Sequence, residues 1–151
     1  MSSTSREHPH RDAVEHLYIE HMCARLICSY ANALDNRQWE TFISLFTEDA
    51  VWQRPSLEPI VGHAAIRQWT EQWPGSYLSR HIASNIVVDV ESADRAAARS
   101  CATVYRCDKH AGGVALLEGP TAIVDYRDQL QRTRAGWRFA HREYQFIFRA
   151  K

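Results

Sequence analysis

Asp35 and His81 are the two side chains in this 151-residue sequence whose types and settings best suit acid–base chemistry. Asp35 follows Cys28 and Ala31 at helical spacing, so its carboxylate emerges beside small apolar side chains at the end of a long helix. A helix C-terminus disfavours negative charge and partial burial acts in the same direction, so both raise its pKa unless a cation compensates. Two readings stand side by side. Asp35 either caps the next helix, with Gln38 three residues on completing a capping box, or orients an imidazole. His81 opens a strand whose face continues with Ala83, Asn85 and Val87 beside an apolar row of Ile82, Ile86 and Val88. Such a small and polar row either lines a pocket or faces water. If the two residues meet, a carboxylate bonded to one ring nitrogen fixes the tautomer and leaves the other nitrogen as a base.

Tyr30 lies five residues before Asp35, about 140° around an ideal helix, so the two border one cavity only if it is broad. Otherwise Tyr30 is core. On the last strand the spacing places Ala140, Arg142, Tyr144 and Phe146 on one face, with Trp137, Phe139, His141 and Glu143 on the other. Arg142 within an apolar row requires an acceptor, either a substrate oxygen or leaving group, or a carboxylate at a sheet edge. Trp52, Trp69, Trp73, Phe42 and Tyr126 supply aromatic surface for an apolar ligand or for ordinary core. Asn85, Tyr144 and Phe146 join the tryptophans and Tyr126 as candidate substrate contacts. His141 and Glu143 form an alternative acid–base pair, His110 falls on a hairpin tip, and His8, His10, His16 and His21 read as solvent-facing. No nucleophile elbow, phosphate-cradling glycine loop, CxxC, HExxH or finger spacing occurs, so neither a nucleotide cofactor nor a protein-built metal site is expected.

The elements that must position these groups fall into two halves. Val14, Tyr18, Met22, Leu26, Tyr30 and Leu34 recur every four residues, with Leu17, Ile19 and Ile27 widening the stripe, which predicts a long amphipathic helix ending at Asp35–Asn36. A short second helix follows through Phe46. Ala50–Trp52 reads as a short strand, and a third helix runs from Gly62 to Trp73, stopped by Pro74–Gly75. From Arg80 the period becomes two and β-branched residues take over, predicting antiparallel strands over 80–91, 95–108, 115–130 and 136–149. The expectation is an α+β domain, helices packed on a curved sheet with the third helix roofing its concave side, over residues 12–151 after a flexible 1–11 segment.

Composition agrees with one such domain: 45% hydrophobic and 24% charged residues are ordinary for a globular chain, and this length supports a core without metal or disulfide staples. The 18 basic and 18 acidic residues balance, leaving no net field toward nucleic acid or an acidic membrane. The polar start and the lack of a long apolar run point to a cytoplasmic protein. Cys23, Cys28, Cys101 and Cys107 each lie in a periodic apolar segment and read as small buried thiols.

Taken in order, Tyr30-Ala-Asn-Ala-Leu-Asp35, Phe46-Thr-Glu-Asp-Ala-Val-Trp52, Val61-Gly62, Arg80-His81-Ile-Ala-Ser-Asn85 and Gly136-Trp137-Arg-Phe-Ala-His-Arg142 resemble the SnoaL-like branch of the nuclear transport factor 2-like (NTF2-like) superfamily. The resemblance runs from about Asp12 to Phe148 and implies a cystatin-like α+β barrel with a cone-shaped pocket. Within it the chain is similar to cofactor-free eliminating enzymes: scytalone dehydratase, bile acid 7α-dehydratase and the γ-hexachlorocyclohexane dehydrochlorinase. Asp35 and His81 match their aspartate–histidine pair, Tyr30 matches a tyrosine of the bile acid dehydratase, and Arg142 matches an arginine of the dehydrochlorinase. Val104 and Phe146 stand where the bile acid dehydratase has a further aspartate and an arginine. The resemblance implies a lyase acting on a small apolar molecule, aromatic or steroid- or polyketide-like, without a cofactor. An isomerase or cyclase using the same base, and a non-catalytic ligand-binding or assembly module such as a ring-hydroxylating dioxygenase small subunit, are the alternatives. A homodimer or homotrimer is expected, with no nucleic acid or membrane partner.

Overall fold

The computed structural model of the chain describes residues 9–151, with side chains from residue 11 onward. The expected flexible segment lies outside the described residues as far as residue 8, as do the side chains of His8 and His10. Helix α1 (Pro9–Asp35) already includes residues 9–11. It buries Ile19, Cys23, Leu26, Ile27, Tyr30, Ala33 and Leu34. Steps of three and four hold that stripe on one face, whereas a strict four-residue step drifts about 40° each time. Val14, Leu17 and Tyr18 have accordingly rotated into solvent. Cys28 is also exposed and Cys101 and Cys107 are half-buried, leaving Cys23 as the buried thiol of the four expected, and the cysteines are free.

Helix α2 (Trp39–Ser44) is followed by β1 (Phe46–Gln53), a two-residue β2 (Ile60–Val61) and α3 (Gly62–Glu71). Both short helices stop two residues before their expected ends. The second half holds β3 (Leu78–Val90), β4 (Arg95–Cys107), β5 (Ala122–Thr133) and β6 (Gly136–Arg149). The sheet order is β2-β1-β6-β5-β4-β3. β1 runs parallel to β6, the exception in an otherwise antiparallel sheet. β2 and β3 are both edges, so the cystatin-like sheet is curved but does not close into a barrel. The strand expected from residue 115 begins only at Ala122, because Gly119 and Pro120 interrupt the ladder. No helix among the described residues is long and apolar enough to cross a membrane.

Three bulges decide which side chains face the helices. One lies in β3 between Ser84 and Val87, where Asn85 adopts φ 51°. Two lie in β6, where Ala140 and Ile147 are passed over in the register with β5. Each extra residue shifts the alternation by one. The inner face of β6 therefore reads Trp137 and Phe139, then Arg142, Tyr144 and Phe146, then Arg149, in register with Arg132, Leu130, Asp128, Tyr126, Val124 and Ala122 of β5. Trp137 and Phe139 thus share the face of Arg142, while His141 and Glu143 are turned outward. In β3 the same effect separates Ile82, exposed on the outside, from Ile86 and Val88, which pack on the core.

Helix α3 roofs the cavity because its N-terminus lies tightly on β1. Gly62 has φ +79°, and a Cβ there would meet the Glu48 carbonyl oxygen at 3.0 Å. Gly62→Ala is expected to cost about 1–3 kcal/mol from the left-handed backbone and the close approach. Urea denaturation followed by tryptophan fluorescence reads this, and an unchanged midpoint would show that the roof tolerates a shift here.

Candidate active site

The last turn of α1 is bound to the start of β3. Arg37, at φ 55°, reverses the chain, and the Gln38 N–H donates to the Ala33 carbonyl at 2.9 Å. The Arg37 guanidinium donates to the Tyr77 carbonyl, and Arg80 Nη1 donates to the Asp35 carbonyl at 3.4 Å. These cations lie where the helix dipole favours positive charge. The junction brings Asp35 against β3 residues 79–81.

The Asp35 carboxylate accepts three hydrogen bonds there. Ser79 Oγ–H donates to Oδ1 at 2.8 Å, the His81 backbone N–H to Oδ2 at 2.6 Å, and His81 Nδ1–H to Oδ1 at 2.6 Å. Asp35 caps nothing: Gln38 precedes α2 and makes no side-chain cap. An ionised carboxylate accepts only from Nδ1–H, so in the neutral ring of His81 the lone pair is on Nε2. The side chains of His81 and Asp35 are 11% and 5% exposed. Burial pushes the Asp35 carboxyl up, as the helix terminus was expected to do. Bonds from the His81 ring and backbone and from Ser79, with the His81 charge, outweigh it and hold the carboxyl below its ordinary 3.8.

His81 opens onto a cavity of about 290 Å³ enclosed by α1, α3 and the inner face of the sheet. Tyr30, Trp52, Trp69, Trp73, Tyr126, Tyr144 and Phe146 all line it. The wall is a continuous aromatic run, with ring centroids 4.7 Å apart for Trp52–Trp69 and for Trp69–Trp73, and 4.8 Å for Trp73–Tyr77. Tyr30 sits at its floor against Phe42, Phe46, Trp52, Tyr126 and Phe139. Core packing and cavity lining therefore coincide in one residue. Burial raises the Tyr30 hydroxyl well above its ordinary range and pushes Tyr126 up to about 12, in each case against an opposing pull from Arg142. Both phenols stay protonated donors at ordinary pH.

Arg142 does not reach the cavity, because Tyr30 and Tyr126 stand in front of it. Its guanidinium carbon lies 4.0 Å from each of their ring centroids and 4.4 Å from that of Phe139. The acceptor beside it is a buried carboxylate: Arg142 Nε lies 3.5 Å from Asp128 Oδ1, with both side chains at most 1% exposed. The charges pair without aligning as a hydrogen bond, and both Asp128 oxygens remain without a donor. Burial pushes the Asp128 carboxyl up to about 6, against the lowering pull of Arg142.

Other candidates lie elsewhere. Asn85, carried out of the His81 row by its bulge, borders an outer hollow with Arg99 and Arg127. His141 and Glu143 face outward, with Glu143 3.9 Å from Arg127. His110 lies in the 108–121 loop, where its backbone N–H donates to the Ser76 carbonyl. His16 and His21 are exposed. Among the described residues no three His, Cys, Asp or Glu side chains group as metal ligands. Sequence reasoning missed Ser79, which shares the inner face of β3 with His81 two residues on, as alternation alone allows. It also missed Asp128, Tyr77, Arg106 and Arg149. Alternation along β5 with Val124, Tyr126 and Leu130 was enough to turn Asp128 inward, whereas Arg149 is revealed only by the β6 bulges.

An α+β cone with helices over a curved sheet and a histidine facing an aromatic cavity defines a SnoaL-like protein. The SnoaL-like domain model matches residues 15–143, and the chain belongs to this family. Among solved structures it is similar to an NTF2-like protein with a cystatin-like fold from Novosphingobium aromaticivorans, at 24% identity over 95% of this chain and 92% of that one, with a TM-score of 0.78. A scytalone dehydratase-like protein from the same organism gives 20% identity, coverages of 91% and 90%, and a TM-score of 0.79. Hexachlorocyclohexane dehydrochlorinase LinA type 3 from Novosphingobium barchaimii gives 15%, 91%, 92% and 0.74. These likenesses establish the fold. No curated protein sequence is significantly similar to this chain.

Because the folded-state pKa of Asp35 is lowered, its contribution to stability is present above 3.8 and disappears as pH falls through the folded value. Asp35→Asn is therefore expected to lose roughly 1.5–3 kcal/mol near neutral pH, the worth of hydrogen bonds to a charged group. The deficit should shrink at a pH somewhat below 3.8, where the carboxyl of the unfolded chain takes up its proton while the folded one still resists it. Denaturant titrations of both proteins at the two pH values measure it. An equal deficit at both would deny the carboxylate its three-donor environment.

Proposed function

We propose that this chain is a cofactor-free lyase, a dehydratase or dehydrohalogenase acting on a small apolar cyclic substrate. His81 Nε2 removes a proton from a substrate carbon, the C–H electron pair becomes the π bond, and the leaving group departs from the adjacent carbon with its own pair. Asp35 holds the ring and stabilises the imidazolium that forms. Tyr30 and Tyr126, neutral donors on the cavity floor, hydrogen-bond the leaving oxygen or halide as charge develops. Arg142 acts from behind their rings, its positive charge making their hydroxyls stronger donors.

The observation that carries this reading is the part-buried 2.6 Å contact between His81 Nδ1 and Asp35, which leaves Nε2 for an aromatic cavity. An isomerase or cyclase would use the same base and return the proton to the substrate. Elimination is favoured by Tyr30, Tyr126 and Tyr144, which surround the cavity and can donate to a departing hydroxyl or halide.

Screening hydroxylated and halogenated alicyclic and aromatic compounds for alkene absorbance or halide release tests the reaction. For a compound that turns over, His81→Ala and Asp35→Asn are each expected to lower kcat by about 10²–10⁴-fold, with the circular dichroism of the folded protein retained. Turnover unaffected in folded His81→Ala would move the base elsewhere. Ligand binding without turnover of any compound would favour the binding-module alternative.

A homodimer or homotrimer is part of the same proposal. Val114 and Leu116, 93% and 92% exposed, and Ile82 on the outer face of β3 supply apolar surface that a second copy would cover. Light scattering is expected to give two or three chains per particle, and a monomer would overturn this.

A further inference from the structure

The cavity is electrically lopsided. Among the groups lining it are two guanidinium side chains, Arg106 and Arg149, and no carboxylate, although the whole chain has zero formal net charge. Sheet register fixes where they stand. His81 pairs with Val104, Val104 with Ala122 and Ala122 with Arg149, so base and cation end one row drawn across four strands. Three strand spacings separate them, roughly 14 Å along a flat sheet and less across a curved one. The second β6 bulge makes this arrangement, since without it Arg149 would point outward.

The two cations differ in what already occupies them. Arg106 bonds Asp108 at the surface and stacks 4.2 Å from the Tyr77 ring centroid. Arg149 stacks 4.5 Å from the Phe146 ring centroid and, among the described residues, has no carboxylate within ion-pair distance and no hydrogen-bond acceptor for its guanidinium. Its donors are free, at the mouth, over an aromatic wall. Thr121 lies on the same lining, but its hydroxyl donates to the Val104 carbonyl at 3.0 Å, so Arg149 is the group left to bind an anion there. A planar guanidinium with unused paired N–H groups suits a carboxylate, which it can bind through two parallel bonds.

Resting on the elimination reading, the geometry points to a substrate that is an apolar ring acid: its ring lies in the tryptophan–tyrosine cavity, its reacting carbon is at His81, and its carboxylate is held at the mouth by Arg149, with Arg106 contributing long-range attraction. The acid group lies remote from the reacting bond. It orients the ring so that one C–H faces Nε2, which converts binding energy into position. The cavity volume suits one or two rings, with the carboxylate outside the apolar part.

The probes are 2-naphthoate and 2-naphthamide, which share a ring system and differ in charge. Calorimetric titration at low salt is expected to show naphthoate binding about tenfold more tightly, a preference that fades as salt rises. Arg149→Gln should reduce the preference to about threefold or less, Arg149→Lys should retain part of it, and His81→Ala should leave it intact. Equal affinity of the two probes, no measurable naphthoate binding, or a preference indifferent to Arg149→Gln would each overturn the assignment. Neither probe carries a leaving group, so such a result leaves the dyad to be judged by its own turnover test. Loss of turnover in His81→Ala with the naphthoate preference preserved separates the two claims in the other direction.

Discussion

A single carboxylate, receiving three donors, ties the helical half of the molecule to the sheet half. Asp35 ends α1, and the groups that bond it stand 44 and 46 residues later on β3. A buried charge without partners would cost several kcal/mol, so helix and strand must meet in the geometry that satisfies it. The constraint reaches further than the pair itself. It sets the rotation of α1 about its axis, and that rotation puts Tyr30 at the cavity floor, about 140° around the helix from Asp35. The breadth needed for both to border one space is supplied by sheet curvature, and the β6 bulges help to bend the sheet.

The floor has a different logic. Arg142 and Asp128 form a buried ion pair that lacks hydrogen-bond alignment, an arrangement whose desolvation cost commonly matches or exceeds its attraction. Three aromatic faces around the guanidinium offset part of that cost, each such contact being worth up to about 2 kcal/mol when desolvated. What the pair provides is a positive charge fixed directly behind two phenols. A hydrophobic replacement would pack as well and would leave the phenol oxygens without that field. The charge therefore makes physical sense as part of the electrostatics of the cavity rather than as a source of stability.

Much of this was legible in the sequence, and the remainder shares one cause. Helix periodicity located α1 and its end, and the change to period two located β3, so Asp35 and His81 stand out as candidates. The contact between them spans 46 residues and is not written in any local pattern. The resemblance to SnoaL-like proteins supplied that pairing before the structure did. Bulges carry the rest. Ala140, Ile147 and Asn85 look like ordinary strand residues, yet they decide that Phe139 and Arg142 share a face, that Arg149 turns inward and that Asn85 leaves the His81 row. Strict alternation read through a bulge is wrong until a second bulge restores it, as Ile147 does for Arg149. The overextended apolar stripe on α1 failed for a related reason: a period of four is close enough to 3.6 to look right over two turns and is displaced by about 120° after three steps.

The two buried aspartates show how the same side chain is set to opposite states within one fold. Burial raises both. Asp35 is given three short donors and falls below its ordinary value. Asp128 is given a nearby guanidinium but no aligned donor and rises to about 6. The difference is directional hydrogen bonding rather than proximity to charge, since each has a basic partner within 3.5 Å. That contrast fits the roles proposed for them. A carboxylate that orients a base must stay ionised while the imidazole gains a proton, because its charge is then needed most. Asp128, behind the phenol layer, partly neutralises Arg142 and so tempers the field reaching Tyr30 and Tyr126. Its protonation would release the full charge of Arg142 toward the cavity floor, making the phenols better donors as the pH falls through about 6.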